Sequence, residues 1–386
     1  MREMTHSALI IGGSNGLGLS VSLLLSKRKY DTVYILDYKE PPECFNLDKN
    51  IVFVRFNLLS DDFSVFDQFA DIDTLIITAG VGRIAPFDEL SDFEIINGFN
   101  INAISVCRII KRFYNRIVGN DDFYCCVIGS ISGLVSSPLF SIYGATKAAI
   151  CKFIESINIE IEEKGSTNRI LNVSPGMIKG TRFYGENNNP EQTQGLAEEI
   201  VEKMFKKDSL FIPLYNEIYK DVLVRYQTDP HLFGKESFDY KNRSEYKSTK
   251  PQMIIGYLSG TFDLFHIGHL NLFRRAKTYC DYLIVGVHRD AVHKGKETFI
   301  PFEERLEIVQ NVKYVDKVIE SYKEDTDAYQ EIKYNYLFVG SDYKGTDRFN
   351  RYEKYFKGED VKIIYFPYTQ RTNSTQLRSV IQHIAD

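Results

Sequence analysis

The sequence predicts two α/β domains, each built on a doubly wound parallel sheet, with the second domain smaller than the first. The chain has 386 residues, which is more than one hydrophobic core usually serves. Short, nearly continuous apolar runs alternate with helical patterns twice along the chain, as is typical of parallel strands covered on both faces. A glycine-containing turn follows the first strand of each half, which is the Rossmann-like arrangement for binding a nucleotide.

The first alternation occupies residues 8 to about 180. We predict its strands at Ala8–Ile11, Thr32–Leu36, Ile51–Phe56, Thr74–Ile77, Tyr124–Ile128 and Ile170–Val173. A polar stretch, a helix around Gly195–Lys206 and a charged run follow, up to residue 250. We interpret the beginning of this region as a substrate lid and its end as a linker.

The second alternation begins at Met253. We predict strands at Met253–Leu258, Tyr282–Val287, Leu337–Val339 and Lys362–Phe366, with helices from Ile267, over Phe302–Asn311 and from Ser374. The tyrosines scattered between residues 322 and 336 are typical of a solvated face. The predicted boundaries are therefore 1–235 for the first domain, 236–250 for a linker and 251–386 for the second domain.

Composition and charge exclude several classes of function. Hydrophobic residues make up 44% of the chain and charged residues 26%, which favours a folded globular protein over a disordered one. The formal net charge of −5 offers no long-range attraction to nucleic acid or anionic lipid. No apolar run approaches the roughly 20 residues that span a bilayer, and no apolar leader precedes the first strand. We expect a cytoplasmic enzyme whose partners are neither nucleic acid nor membrane.

A glycine-rich run follows the first strand and opens the first helix. Its candidate cofactor-binding residues are Gly12, Ser14, Asn15, Gly16, Leu17 and Gly18. Glycines let the backbone approach a pyrophosphate, and the helix N-terminus offers N–H groups to it. Asp37 ends the second strand, where a carboxylate would bind the adenosine ribose and repel a 2′-phosphate. Asp37 therefore favours NAD(H) as the coenzyme. Because Lys39 lies nearby in the sequence, NADP(H) stays an alternative.

Three further residues predict acid–base chemistry in the first domain. Tyr143 and Lys147 are four residues apart and so share one face of a helix. We expect the Lys147 ammonium to lower the pKa of the Tyr143 phenol, which can then exchange a proton with a substrate oxygen. Ser130, at the end of a strand, would hold that oxygen by a hydrogen bond. A helix pair without chemistry is the alternative for Tyr143 and Lys147. The glycine run, Ser130 and Asn100, which occur with them in the expected order, disfavour it.

These residues resemble the short-chain dehydrogenase/reductase family over roughly residues 6 to 235. The resemblance implies that Asn100 supports a proton relay through Lys147. It also implies cofactor contacts by Asn57, Ala79, Gly80, Pro175, Gly176, Ile178 and Thr181. The chain departs from the family pattern twice: Thr78 stands where the family usually has asparagine, and Asn57 stands where an aspartate often meets adenine.

A second set of candidate residues follows the strand predicted at Met253–Leu258. His266 and His269 are three residues apart at the start of a helix, so both rings face the same space beside free N–H groups. Imidazoles placed there can donate to phosphoryl oxygens as charge builds up during nucleotidyl transfer. A metal site is the alternative, but it requires a third ligand and usually a glutamate base. We therefore predict no protein-bound metal and a Mg²⁺ ion that accompanies a triphosphate.

This segment resembles the cytidylyltransferases that activate glycerol 3-phosphate, phosphocholine and phosphoethanolamine, from about residue 253 to the C-terminus. The resemblance implies that CTP is bound by Gly260, Thr261, Phe262, Lys294, Lys296, Arg305, Gly340, Asp342, Arg371, Thr372, Ser374 and Thr375. Tyr343 replaces a family tryptophan, and the Arg371–Thr375 signature is shorter by two residues. Adenylyltransferases share the histidine turn, so the preference for CTP comes from the resemblance alone.

Together the two resemblances imply consecutive reactions on one metabolite. Reduction of a ketose or aldose phosphate would give a polyol phosphate, and transfer from CTP would give a CDP-polyol of the CDP-ribitol or CDP-glycerol type, used for bacterial cell-surface polymers. A reductase with an unrelated or nucleotide-linked substrate, beside a transferase for a polyol or amino-alcohol phosphate, is one alternative. A nucleotide-sensing scaffold is the other. Both families commonly form dimers, so a homo-oligomer is expected.

Overall fold

The computed structural model describes residues 6–28, 30–42, 44–45, 47–59, 62–181, 189–243, 254–290, 297–359, 361–367 and 377. The chain divides into two compact units, Met1–Pro251 and Gln252–Asp386, each with its own parallel sheet. The predicted pair of doubly wound α/β domains, the second smaller, is confirmed. Across the described ranges, no helix is both long enough and apolar enough to cross a membrane.

Seven parallel strands form the sheet of the first unit. They are β1 (Ser7–Ile11), β2 (Thr32–Asp37), β3 (Ile51–Arg55), β4 (Thr74–Ile77), β5 (Tyr124–Ile128), β6 (Ile170–Val173) and β7 (Leu210–Phe211). Their order across the sheet is β3-β2-β1-β4-β5-β6-β7. All six predicted strands are present, and β7 escaped prediction because two residues carry no periodic pattern.

Helices cover both faces of this sheet. They are α1 (Gly16–Ser26), α2 (Asp92–Phe99), α3 (Ser105–Ile117), α4 (Ser141–Glu163), α5 (Pro190–Phe205), α6 (Lys220–Thr228) and α7 (Pro230–Arg243). The apolar sides of α3 and α4 pack with one face of the sheet, and those of α1 and α5 pack with the other. Both faces of the strands are thereby buried, which explains their continuous apolar sequences.

The predicted linker requires a correction. Helix α7 continues to Arg243, so residues 236–243 are helical and belong to the first unit. The Lys241 ammonium on α7 donates to Ser137 Oγ at 2.6 Å and to the carbonyl of Pro138 at 3.0 Å. Tertiary contacts of this kind order a charged segment that composition alone describes as a tether. Residues 244–250 lie outside the described part of the chain.

The second unit has five parallel strands and four described α-helices. The strands are β8 (Ile255–Gly260), β9 (Tyr282–Val287), β10 (Lys317–Glu320), β11 (Tyr336–Gly340) and β12 (Lys362–Phe366). The helices are α8 (Ile267–Lys277), α9 (Phe302–Gln310), α10 (Asp325–Ile332) and α11 (Asp347–Tyr355). The sheet order is β10-β9-β8-β11-β12, with α8 and α9 on one face and α10 and α11 on the other.

The solvated face predicted between residues 322 and 336 is wrong. Tyr329 and Tyr334 are buried, and the Tyr334 ring stacks on that of Tyr257 with centroids 5.1 Å apart. The Tyr334 hydroxyl donates to the carbonyl of Asp325 at 2.8 Å, so the buried phenol is satisfied. The helix predicted from Ser374 lies outside the described residues.

In each sheet, the chain adds strands first on one side of its first strand and then on the other side. Strand β1 pairs with β2 on one side and β4 on the other, and β8 pairs with β9 and β11 in the same way. The connections leaving such a strand diverge, and a crevice opens at the carboxyl ends of the strands. Both predicted sites follow β1 or β8, so the topology places each site at such a crevice.

Candidate active sites

The turn after β1 and the first turn of α1 each require glycine at one position. Gly12 has a φ of +84°, and a Cβ built there would lie 2.7 Å from the backbone nitrogen of Ala79. A Cβ at Gly18 would lie 2.2 Å from the Gly12 carbonyl oxygen. The Thr78 hydroxyl donates to the carbonyls of Ile11 and Gly12, each at 3.0 Å. Thr78, which replaces the family asparagine, therefore ties the end of β4 to the glycine turn.

Asp37 lies against this turn, where the sequence predicts it. Its buried carboxylate accepts hydrogen bonds from the backbone N–H groups of Ser14, at 3.2 Å, and Tyr38, at 2.7 Å. Burial raises the pKa of Asp37, and these hydrogen bonds lower it. Asn57 follows β3 and is also buried, and its Oδ1 accepts from the N–H of Leu59 at 3.0 Å.

The stretch predicted to seat the nicotinamide meets the start of α1. Gly16, the first residue of α1, has a φ of +49°, and a Cβ there would lie 3.1 Å from Thr181 Cγ2. The Thr181 hydroxyl donates to the carbonyl of Ile178 at 2.8 Å. Asn15 is the N-cap of α1, and Leu17 packs into the core of that face. The fold thus joins two segments that are far apart in the sequence.

Ser130, Tyr143 and Lys147 come together at the carboxyl end of β5. Tyr143 and Ser130 share a side-chain hydrogen bond. The Lys147 Nζ lies 5.6 Å from the centroid of the Tyr143 ring and donates to the carbonyl of Ile128 at 2.7 Å. Phe140 stacks on the Tyr143 ring with centroids 4.2 Å apart, which fixes the plane of the phenol.

The expected lowering of the Tyr143 pKa is wrong. Burial raises the pKa of Tyr143 to about 12, and the hydrogen bond with Ser130 opposes this shift only in part. Burial also lowers the pKa of Lys147 to about 8. Desolvation of the phenol therefore outweighs the effect expected from the ammonium. Tyr143 stays protonated at neutral pH, which is the form that donates a proton.

Asn102 lies close to the catalytic group, although no sequence pattern singled it out. Its side chain is 1% exposed, accepts from the N–H of Val81 at 2.8 Å, and donates to the Val81 carbonyl at 2.7 Å and to Thr146 Oγ1 at 2.9 Å. A Cβ at Gly80 would lie 3.5 Å from Asn102 Oδ1 and 3.4 Å from Lys147 Nζ. Asn102 therefore lies beside the lysine.

The predicted residue, Asn100, begins a π-helical turn that runs from Asn100 to Ile104 between α2 and α3. Its carbonyl accepts from the N–H of Ser105. Two asparagines two positions apart look equivalent in sequence, and the turn decides which side chain faces inward. The relay role predicted for Asn100 stays a prediction.

The turn after β8 is strained and held in place. Phe262 and Leu264 have φ values of +51° and +52°. Residues other than glycine rarely adopt this left-handed backbone conformation. The buried Asp263 carboxylate between them accepts from the N–H groups of Phe299, at 3.1 Å, and Ile300, at 3.0 Å. Surrounding contacts therefore maintain the strained conformation.

Arg305, a predicted CTP ligand, donates hydrogen bonds to the backbone carbonyls of four residues. The residue is fully buried, and its Nε donates to the carbonyl of Ile300 at 2.9 Å. Its Nη1 donates to the carbonyls of Thr261, at 2.6 Å, and His288, at 2.7 Å. Its Nη2 donates to the carbonyl of Arg289 at 2.7 Å. The guanidinium joins the turn, the end of β9 and the segment before α9, so its contacts hold these three segments together. The CTP-binding role predicted for Arg305 stays a prediction.

His266 and His269 lie with stacked rings at the start of α8, their centroids 3.9 Å apart. His266 Nδ1 accepts from the N–H of Gly268 at 3.0 Å, and His269 Nδ1 accepts from the N–H of His266 at 3.4 Å. In each neutral ring the proton is therefore on Nε2, which makes that atom a donor. Burial lowers the pKa of His266, which favours the neutral ring.

Some of the other predicted CTP ligands lie among the described residues, and the rest lie outside them. Thr261 Oγ1 is buried with no hydrogen-bond partner among the described residues, so this hydroxyl fits a polar ligand. Gly260 precedes it, with the Phe262 ring packed against it, while Gly340 and Asp342 follow the neighbouring strand β11. Lys294, Lys296, Arg371, Thr372, Ser374 and Thr375 lie outside the described residues. Within the described ranges, no group of three or more His, Cys, Asp or Glu could hold a metal ion.

Comparison with known proteins decides the families. The family model of the short chain dehydrogenases matches residues 6–192, and that of the cytidylyltransferase-like proteins matches residues 257–380. The glycerol-3-phosphate cytidylyltransferase of Bacillus spizizenii is 34% identical over 123 residues, which are 31% of this chain and 90% of that protein. The chain thus contains a short chain dehydrogenase domain, and its second domain belongs to the cytidylyltransferase family. It is a bifunctional enzyme with an oxidoreductase domain and a nucleotidyltransferase domain.

Two further comparisons concern the dehydrogenase domain. An uncharacterized oxidoreductase of Saccharomyces cerevisiae, YDL114W, is 27% identical over 209 residues, which are 50% of this chain and 66% of the yeast protein. A short chain dehydrogenase from Burkholderia cenocepacia, solved in complex with NADP, superimposes with a TM-score of 0.51 at 20% identity, over 61% of this chain and 99% of that one. The structural likeness supports the fold of this domain.

We expect Arg305→Lys to lower kcat for cytidylyl transfer by roughly 10- to 100-fold, because small displacements of catalytic groups cost that much. The single ammonium of lysine cannot donate to the backbone carbonyls of all three segments as the guanidinium does. We therefore expect the turn before the histidines to shift. The KM for CTP should change by less than about threefold, and the thermal midpoint of the domain should fall, since unpaired buried carbonyls cost about 1–3 kcal/mol each. Steady-state kinetics and thermal unfolding measure both effects. A large rise in KM with unchanged kcat and stability would instead identify Arg305 as a CTP ligand.

Proposed function

We propose that the enzyme makes a CDP-polyol in two steps. NAD(P)H-dependent reduction converts a ketose or aldose phosphate into a polyol phosphate, and cytidylyl transfer from CTP then releases pyrophosphate. The observation that carries the proposal is the presence of both chemical sites in one chain: the hydrogen-bonded Ser130–Tyr143 pair beside Lys147, and the paired histidines after β8. A reductase produces an alcohol, and a cytidylyltransferase of this kind consumes an alcohol phosphate. The similarity to glycerol-3-phosphate cytidylyltransferase supports a product of the CDP-ribitol or CDP-glycerol type.

In the reductive step, the carbonyl oxygen would lie between the hydroxyl of Ser130 and the phenol of Tyr143. Both groups would donate a hydrogen bond to it, and Tyr143 would transfer its proton as negative charge develops. Burial keeps Tyr143 protonated, which suits reduction better than the reverse oxidation. Lys147, held by the carbonyl of Ile128, and Asn102 lie next to this centre. A bound nicotinamide coenzyme supplies the hydride.

The coenzyme site is proposed to bind NAD(H) in preference to NADP(H). The positive φ of Gly12 and its close packing on Ala79 fix the glycine turn at the N-terminus of α1, whose N–H groups would bind a pyrophosphate. The Asp37 carboxylate beside Ser14 would bind ribose hydroxyls and repel a 2′-phosphate. Because the Burkholderia relative was solved with NADP, both coenzymes belong in any assay.

In the transfer step, a phosphate oxygen of the polyol phosphate would attack the α-phosphorus of CTP, and pyrophosphate would leave. The Nε2–H groups of His266 and His269 would donate to phosphoryl oxygens as charge accumulates. The helix N-terminus at Ile267 adds backbone N–H groups, and the Thr261 hydroxyl adds a further polar group. We propose that Lys294, Lys296 and Arg371 complete the triphosphate site and that Mg²⁺ accompanies CTP.

A second candidate is an amino-alcohol phosphate as the cytidylyl acceptor. The ethanolamine-phosphate cytidylyltransferase of Dictyostelium discoideum is 45% identical over 80 residues, which are 20% of this chain and 22% of that protein. In that case the reductase would serve a separate substrate. We favour the polyol phosphate because a reductase directly produces the hydroxyl groups of a polyol.

Mass spectrometry of the full-length enzyme tests the proposal. The enzyme is incubated with CTP, Mg²⁺, NADH plus NADPH and a panel of triose, pentose and hexose phosphates, with ethanolamine phosphate as the competing acceptor. We expect a new CDP-polyol that requires both the reductant and CTP. Formation of CDP-polyols only from preformed polyol phosphates, with no sugar phosphate reduced, would contradict the consecutive reaction.

We further propose that the enzyme is a cytoplasmic homo-oligomer that acts on small molecules for cell-surface polymer synthesis. Support for this comes from the two families and from the product class. Analytical ultracentrifugation of the purified chain reports the oligomeric state directly.

A further inference from the structure

The loop that follows β4 borders the ring of Tyr143. Gly82 in this loop is exposed, and a Cβ built on it would lie 2.6 Å from Tyr143 Cδ2 and 2.9 Å from Phe140 Cε2. Carbon atoms in packed proteins lie about 3.5–4.0 Å apart, so the Gly82 backbone leaves no room for a side chain beside the two stacked rings. Because glycine has the greatest backbone freedom of any residue, this close approach depends on how the rest of the loop is held.

Two contacts hold the ends of this loop segment. The N–H of Val81 donates to Asn102 Oδ1 at 2.8 Å, and the Val81 carbonyl accepts from Asn102 Nδ2 at 2.7 Å. The N–H of Ala85 donates to the carbonyl of Leu139 at 2.7 Å, just before the ring that stacks on the catalytic phenol. Arg83 lies between these two points.

Arg83 ties the middle of the segment to the start of α2. Its Nε donates to Glu94 Oε1 at 2.7 Å, and its Nη2 donates to the carbonyl of Glu89 at 2.7 Å. The Glu94 carboxylate also accepts from the N–H and the hydroxyl of Ser91, the N-cap of α2, at 3.0 and 2.9 Å. The Arg83 side chain is 9% exposed and that of Glu94 is 17% exposed. Loss of either partner would leave a poorly solvated charge, which the loop could relieve only by moving.

We propose that Arg83 and Glu94 are positioning residues for carbonyl reduction. Their ion pair holds Gly82 against the edge of the Tyr143 ring and thereby keeps the phenol where it meets the substrate oxygen. Both residues act on the reaction through the position of that phenol. This inference rests on the proposed function, because Tyr143 is the proton donor there.

The first test measures carbonyl reduction in Arg83→Met, Glu94→Ala and Gly82→Ala, with D-ribulose 5-phosphate and either NADH or NADPH. We expect kcat per bound coenzyme to fall about 10- to 100-fold in each variant, because small displacements of a catalytic group cost this much. The Kd of the coenzyme should change by less than about threefold, as should the rate of cytidylyl transfer in the other domain. G82A tests the contact directly, since it keeps the ion pair and adds the Cβ that the rings exclude.

Two further variants separate the ion pair from general stability. Glu94→Gln keeps a side-chain oxygen that can accept from Arg83, so it should retain kcat to within about threefold. The double variant R83M/E94A should be no slower than the slower single variant by more than about threefold, because the two side chains act as one unit. Additive losses would contradict this pairing.

A second readout requires no substrate. Tyrosine is replaced by 3-fluorotyrosine, and the fluorine NMR resonance of Tyr143 is assigned by its absence from Tyr143→Phe. We expect this resonance to shift or broaden in R83M and E94A. Arg169→Met is the matched control, because Arg169 pairs with Glu162 at 2.8 Å and with backbone carbonyls but precedes β6, at the opposite edge of the sheet. It should alter neither kcat nor the resonance.

The outcomes separate this inference from the proposed function. If R83M and E94A keep the wild-type kcat, the ion pair only stabilises the fold and the inference is overturned. A fall in kcat with an unchanged Tyr143 resonance also overturns it, because the phenol would not have moved. Wild-type enzyme that reduces no sugar phosphate contradicts the proposed function. The resonance then decides the inference, which stands if R83M moves the resonance and falls if it does not.

Discussion

Replacing Tyr143 with phenylalanine is expected to abolish carbonyl reduction and to leave cytidylyl transfer unchanged. The change removes only the hydroxyl that is hydrogen-bonded to Ser130, so the ring keeps its stacking on Phe140. Loss of a positioned general acid costs about 10²- to 10⁴-fold in rate. Oxidation of NAD(P)H in the presence of the substrate measures reduction, and pyrophosphate release from CTP and a polyol phosphate measures transfer.

The controls for Tyr143→Phe address coenzyme binding and folding. Coenzyme fluorescence should show that the variant binds NAD(P)H as the wild type does. Tyr114→Phe is a matched substitution, because the Tyr114 hydroxyl is buried with no hydrogen-bond partner among the described residues. It should leave reduction unaffected. Full reductase activity in Tyr143→Phe would remove Tyr143 from the proposed acid–base chemistry.

The second large effect is expected for His269→Ala, which should lower kcat for cytidylyl transfer by about 10²- to 10³-fold, as the loss of one preorganised donor does. His269 presents Nε2–H to the site because its Nδ1 accepts from the N–H of His266. Reduction in the first domain should continue at the wild-type rate. The assay is pyrophosphate release with CTP, Mg²⁺ and glycerol 3-phosphate.

His231→Ala provides the matched control for the histidine, since His231 is exposed at the start of α7. It should leave transfer unchanged. The conclusion drawn for His269 also requires an unchanged melting temperature, because its ring packs edge-on against Phe262, with centroids 5.4 Å apart. A stable variant with undiminished transfer would remove His269 from the proposed chemistry.

Features that depend on residues close together in the sequence could be predicted from the sequence alone. The alternation of apolar strands and helices predicted both sheets, because the spacing of apolar residues along each element shows which of its residues are buried. Gly12 and Gly18 were identifiable because a turn that closely approaches β4 tolerates no side chain there. The four-residue spacing of Tyr143 and Lys147 was sufficient to place both residues on one helical face.

The packing of distant segments, by contrast, sets which groups are buried and what each one contacts. It brings Asn102 beside Lys147, and it surrounds Arg305 with backbone carbonyls from three segments. It raises the pKa of Tyr143, where the helix spacing predicted the opposite, and it brings Lys241 to the loop beside Ser130. Desolvation and hydrogen bonding depend on contacts between segments that are far apart in the sequence. A local sequence pattern does not show which of these segments come together in space.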